Sequence, residues 1–85
     1  MNTFLLAVSS PDGDIFRDNV RMLSLRGAEG DLAVMAGHIP FVTTVKPCDV
    51  KIVLEDGSEK IGNADGGILT VGSDMVTLLS GSFTF

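Results

Sequence analysis

The 85-residue chain is predicted to be all-β, an antiparallel sandwich or barrel. Three observations carry that prediction. Turn signals recur at short intervals, at Pro11-Asp12-Gly13-Asp14, Glu55-Asp56-Gly57-Ser58, Ala64-Asp65-Gly66-Gly67 and Val71-Gly72-Ser73-Asp74. The runs between them are short and rich in Val, Ile, Leu, Phe and Thr, residues that suit a pleated, half-buried surface. Within the runs, apolar side chains alternate. Asp-Gly supplies the positive φ that tight hairpins need.

Taken in order, the first run places Phe4, Leu6 and Val8 on one face, with Leu5, Ala7 and Ser9 opposite. The stretch from Ile15 to Leu25 is less clean. Phe16, Val20 and Leu23 have helical spacing, but Asp18-Asn19 reads as a turn and the neighbours are strand-like, so strand is predicted. Val20 to Arg26 changes face between Met22 and Leu23, which predicts a bulge or burial on both sides. Lys46-Pro47-Cys48-Asp49 reads as a turn. Val50, Ile52 and Leu54 share a face in the next run, and Val76 and Leu78 stay in step in the one after it. Phe83-Thr84-Phe85 alternates up to the last residue, as in a domain of a longer chain or an unusually short protein.

A chain this short has room for one core, so residues 1–85 are read as one domain. The apolar share of 45% against 20% charged residues is that of a folded globular chain, outside the disordered regime. The net charge of -5, with six Lys and Arg spread singly, excludes nucleic acid as a partner. The acidic balance suits a basic protein partner. The amino terminus has no basic segment, and its apolar run is too short for a signal peptide or a membrane span. Direct membrane insertion is therefore not expected. One cysteine, Cys48, excludes an internal disulfide.

The residues that often carry chemistry do not assemble into a pattern. His38 is the only histidine, and a zinc site wants three or four His, Cys or carboxylate ligands. Cys48 lies in no recognisable nucleophile signature. Gly27-Ala28-Glu29-Gly30 lacks the Lys-Ser/Thr pair of a phosphate loop. Asp12/Asp14 and Asp56/Glu59 sit at turns, where solvated carboxylates are the ordinary case. No catalytic residue, metal or cofactor is predicted. The informative feature is Ala36-Gly37-His38-Ile39-Pro40-Phe41-Val42, which puts bulky apolar residues in a loop or edge. Such a segment either tucks over the core or meets a partner.

That stretch also carries a resemblance. Gly27-Ala28-Glu29-Gly30-Asp31-Leu32, then Gly37-His38-Ile39-Pro40, then Val45-Lys46-Pro47 resemble the epsilon subunit of F-type ATP synthases. Val8 to Gly13 is similar to that family's opening strand and turn. Gly66-Gly67-Ile68-Leu69-Thr70-Val71 and Val76-Thr77-Leu78-Leu79 are similar to its later strands. The pieces occur in order along essentially the whole chain. Ala33 and Cys48 depart from it, each standing where the family has Gly; at Cys48 a positive-φ turn position is expected to be lost.

The resemblance implies a flattened antiparallel β-sandwich of about ten short strands, the family's amino-terminal domain without its helical hairpin. It implies a non-catalytic rotor component linking the gamma subunit to the membrane c-ring, in support of ATP synthesis driven by a proton or sodium gradient. Ser10, His38, Ile39, Pro40, Phe41 and Thr43 resemble the face that packs on gamma. Glu29, Gly30 and Asp31 resemble the loop that meets the polar loops of the c-ring. The implied location is peripheral, on the cytoplasmic face of a bacterial cell membrane through the assembled complex. Without the resemblance, the residues describe a generic β-sandwich binding module with an apolar recognition edge.

Overall fold

Seven strands run through the described residues, 2–85, of the computed structural model: β1 (Phe4–Ser10), β2 (Gly13–Gly27), β3 (Gly30–Met35), β4 (Phe41–Leu54), β5 (Glu59–Val71), β6 (Met75–Leu79) and β7 (Phe83–Thr84). Met1, with which the expected domain begins, lies outside the described residues. The strand order is β1-β6-β5-β4-β2-β3; β7 pairs with β5, and a β1–β2 pairing closes the sheet on itself. Closure removes the free edges of the five strands in the ring.

Three strands are long because each serves two layers. The first half of β2 pairs with β1, from Val20 opposite Phe4 to Gly13 opposite Ser10. Its second half pairs with β3 and β4. The β4–β5 hairpin likewise runs from Phe41 opposite Val71 to Val53 opposite Glu59, with β6 on one half of β5 and β7 on the other. Counting each long strand once per layer turns the seven strands into the ten short segments expected.

The breaks expected inside these strands are bends within continuous pairing. Asp18 and Asn19 are not a turn; they pair with Leu6 and Leu5. Pro47 and Cys48 are not a turn either, but pair with Asp65 and Ala64. Proline has no N–H to give a ladder, and it sits where β4 passes from one layer to the other. Across from it, Ala64 to Gly67 is a bend within β5 rather than a hairpin turn, with positive φ at Gly66 (81°) and Gly67 (152°). A Cβ on Gly67 would overlap the Leu79 carbonyl oxygen. Glycine there lets β6 approach, and the bend follows. No described non-glycine residue has positive φ, so Cys48 takes an extended backbone at no conformational cost.

One pairing departs from the antiparallel expectation: β1 and β6 run parallel, Leu5 opposite Met75 through Ser9 opposite Leu79. The bulge expected near Met22 is present as a register shift between Val20 and Met22, and it moves burial from Val20 to Leu23 and Leu25.

The core lies between the layers. Leu6, Val8, Val50, Ile52, Val76 and Leu78 are fully buried, as the alternation predicted for their strands, and Leu23 and Leu69 are fully buried beside them. Each such side chain contributes about 1.5–3 kcal/mol on burial. Phe83 packs over Gly62, where a Cβ would stand 2.5 Å from its ring. Ser80 is the buried polar side chain among the described residues. Its hydroxyl lies 2.6 Å from the Gly66 carbonyl oxygen and 2.9 Å from that of Ser82, and so ties the bend in β5 to the chain beyond β6. No helix among the described residues is long and apolar enough to cross a membrane.

Candidate functional site

Two connections stand out, and the first of them shapes a concavity. The β2–β3 turn is closed by Gly27 opposite Gly30. Gly30 has φ 127°, a conformation that side chains resist. The Ala28 N–H donates to the Thr44 carbonyl at 3.0 Å, which pins the turn against β4. The resulting cleft, of about 500 Å³, is lined by residues 27–32 of the turn and β3 and by Phe41, Val42 and Thr43 of β4.

The acidic residues of the turn are not equivalent. The Arg26 Nε donates to the Asp31 Oδ1 at 3.2 Å, so Asp31 already has a cation, although both side chains are well exposed. Glu29 forms no ion pair among the described residues. It presents a free carboxylate at the rim of the cleft, opposite exposed Val42 and partly exposed Phe41. Such a cleft can take a cation next to an apolar group.

The second connection is residues 36–40, between β3 and β4. Gly37 turns it with φ 83°. Ile39 is 82% exposed, among the most exposed large apolar residues present, and Met35 just before the loop is also exposed. His38 behaves differently. Its ring turns into the fold, with Nδ1 2.8 Å from the Met35 carbonyl oxygen and Nε2 2.8 Å from that of Gly72. It stands edge-to-face with Phe4 at 5.6 Å between centroids.

The structure thus brings Glu29, Gly30, Asp31, Phe41 and Thr43 into one cleft, with Ile39 and Pro40 exposed on the adjoining loop. The turn and the apolar segment, expected as two surfaces, are contiguous there. Ser10 is not part of this group. It ends β1 opposite Gly13, and its Oγ accepts the Asp12 N–H at 3.2 Å. Phe4, which touches His38, is six residues away along that strand, about 20 Å.

Val42 and Met35 belong to the same exposed apolar region and were not among the expected site residues. Val42 had a visible signal, since it closes the apolar stretch that begins at Ala36. A second apolar surface lies outside β4, β5 and β6. Thr44, Ile68 and Leu79 form one cross-strand row, and Val42, Thr70 and Thr77 another. Val42, Ile68 and Leu79 are 66%, 47% and 52% exposed. Their signal was that Ile68 and Leu79 are apolar while their strand neighbours Leu69 and Leu78 are also apolar, which leaves both faces of these strands apolar.

No reaction is suggested by what meets. Cys48 accepts the Arg26 N–H at 3.4 Å, whereas His38 contacts Phe4, Met35 and Gly72, so the two share no partner. Among the described residues no three His, Cys, Asp or Glu side chains converge as a metal site would need. Asp14 accepts from Ser9, Asp56 from Ser58, and Glu59 pairs with Lys51. Asp56 receives both the hydroxyl and the N–H of Ser58, at 2.6 and 2.9 Å. Those bonds hold its carboxyl below the ordinary value of 3.8.

Comparison with known proteins adds the following. The family described as the ATP synthase, Delta/Epsilon chain, beta-sandwich domain matches residues 3–85. A chain in the cryo-EM structure of the Euglena gracilis mitochondrial ATP synthase, OSCP/F1/c-ring in rotational state 1, superposes with a TM-score of 0.91 at 22% identity. That match covers 99% of this chain and 54% of the other. A chain in the Tetrahymena thermophila mitochondrial ATP synthase central stalk/c-ring structure superposes with a TM-score of 0.79 at 13% identity, covering 94% and 64%. At these identities the two structures share the fold, and this chain spans less than two thirds of each.

Proposed function

The chain belongs to the ATP synthase delta/epsilon family as its β-sandwich domain, and from that premise we propose that it is a non-catalytic component of the rotor stalk. In this reading residues 1–85 act as one domain that links the gamma subunit to the c-ring, so that rotation driven by proton or sodium flow reaches the catalytic head. It is associated with the membrane through the complex, in a bacterium at the cytoplasmic face. Ile39, Pro40, Phe41 and Thr43 offer the apolar contact to gamma, with Ser10 and His38 as outlying members of that group. Glu29, Gly30 and Asp31 offer the polar contact to the ring loops.

The observation that carries the reading is the cleft. An acidic turn with an unpaired Glu29 and an exposed apolar segment at Phe41 and Val42 lie side by side, on a domain whose sheet is closed. A closed sheet resists shear, which suits a part that transmits torque. Its acidic turn suits a basic loop, and its apolar segment suits a partner with apolar surface of its own.

Calorimetric titration of the full chain into an ATP synthase gamma subunit tests this. Binding is expected, and Phe41→Asp should weaken it at least roughly tenfold, the loss typical of a buried anchor. A folded chain that does not bind, or that binds regardless of Phe41, would refute the stalk reading. For the ring, Asp31→Lys is expected to weaken docking on isolated c-ring with little change at gamma. Equal loss at both partners would mean that the cleft serves them jointly.

A further inference from the structure

His38 is placed where an outward contact residue would not be. Both ring nitrogens face backbone carbonyl oxygens at 2.8 Å, one on Met35 and one on Gly72. A carbonyl only accepts. A neutral imidazole has one N–H, so it can satisfy one of these carbonyls and must turn a lone pair toward the other. An imidazolium has two N–H groups and satisfies both.

The two carbonyls belong to different parts of the chain. Met35 ends β3, and Gly72 is in the β5–β6 turn, 34 residues from His38 in sequence. The ring therefore bridges the 36–40 loop, with its exposed Ile39, to the β5–β6 turn, just beyond the Phe41–Val71 pair that joins β4 to β5. We propose that His38 is a positioning residue that clasps this loop in a pH-dependent way. Protonated, it holds both carbonyls and fixes the loop; on losing its proton it releases one of them, and the loop gains freedom. This rests on the geometry of the chain alone and stands apart from the stalk reading.

Few other groups can account for a pH response there. Neither β1 nor the first residues of β4 carry a titratable side chain. The titratable residue of β3 is Asp31, at the far end of that strand and paired with Arg26. The end of β5 has none, and the β5–β6 turn has Asp74.

The test is NMR of the full chain between about pH 5 and 8, where histidine ordinarily changes charge. Ring ¹⁵N–¹H correlations report the protonation of His38. Backbone shifts report residues 35–41 and 72–75. Both segments should move with the midpoint of ring deprotonation, and relaxation dispersion should show the open-loop population rising about tenfold, the worth of one charge-assisted hydrogen bond. Asp74→Asn should leave this response in place. His38→Gln, which donates but cannot gain a proton, should abolish it while the Leu6 and Ile52 amides stay as they were. If His38→Gln does not fold, the titration of the unaltered chain beside Asp74→Asn is decisive by itself. The clasp is refuted if the response survives in His38→Gln. It is equally refuted if His38 deprotonates and either segment stays still.

Discussion

The two outer faces of the sandwich share strands β2, β4 and β5 yet differ in where they carry charge. On the layer with β3, outward positions include Arg26 and Asp31, Asp49 and Asn63, and Lys51 near Glu59. Both ion pairs of the described residues lie there, with Asn63 donating to Asp49 at 3.2 Å. On the layer with β6, the outward rows hold Val42, Thr44, Ile68, Thr70, Thr77 and Leu79 on β4, β5 and β6, without a charge, and charge returns only beyond β1, at Arg17 and Asp14 of β2. A single strand shows the contrast. β4 turns Asp49 and Lys51 outward in one half and Val42 and Thr44 in the other, and the switch comes at Pro47, where it changes layer. Amphipathicity here belongs to the layer and not to the strand, because each half of a crossing strand meets a different exterior.

The largest effect that would break this comparison is expected at Gly67. Gly67→Ala combines an unfavourable backbone with overlap on the Leu79 carbonyl. It should cost about 3 kcal/mol or more in urea unfolding. Because β5 is common to both layers, hydrogen exchange should show both losing protection together. Loss confined to the layer with β6 would make the two faces separate units.

A smaller change in stability but a clear change in surface is expected on the apolar part of the face with β6. Ile68→Thr with Leu79→Lys should leave unfolding within about 0.5 kcal/mol, since both side chains are half exposed. Binding of an apolar dye should fall severalfold. Unchanged dye binding would place the apolar contact elsewhere. On the charged face, Lys51→Met removes an ion pair of 3.3 Å between side chains that are 42% and 53% exposed. Its cost should lie between zero and about 1 kcal/mol and vanish in about 1 M salt. A salt-independent loss would mean that packing of the lysine stem decides it.

The smallest effect concerns the β4–β5 turn. Because the carboxyl of Asp56 is held below its ordinary value, its contribution is full above pH 3.8 and is lost as pH falls through the lowered value. Asp56→Ala should therefore be slightly less stable than the unaltered chain at neutral pH, and the two should converge in acid. A difference that persists in strong acid would assign the effect to turn conformation and not to the carboxylate.

Much of this was legible before any coordinates. The alternation in β1, β4 and β6 named Leu6, Val8, Val50, Ile52, Val76 and Leu78, and all are buried. The change of phase at Met22 named the bulge. Legibility failed where turn chemistry met a continuing strand. Asp18-Asn19, Pro47-Cys48 and Ala64 to Gly67 carry turn residues, and those residues produce bends whose pairing partners hold the strand together. At the candidate site the apolar stretch from Ala36 to Val42 and the acidic turn were both visible, but their shared cleft was not.

The sequence by itself determined the all-β class, the hairpin turns at Asp12-Gly13 and Asp56-Gly57, and most of the core. These follow from a side-chain period of two and from residue-specific backbone freedom, which are local. Only the tertiary structure decided which halves of β4 and β5 face outward without charge, that Glu29 and Phe41 line one cleft, and that the ring of His38 reaches Gly72. Those depend on where long strands cross between layers and on contacts between residues far apart in the chain, and no local pattern encodes them.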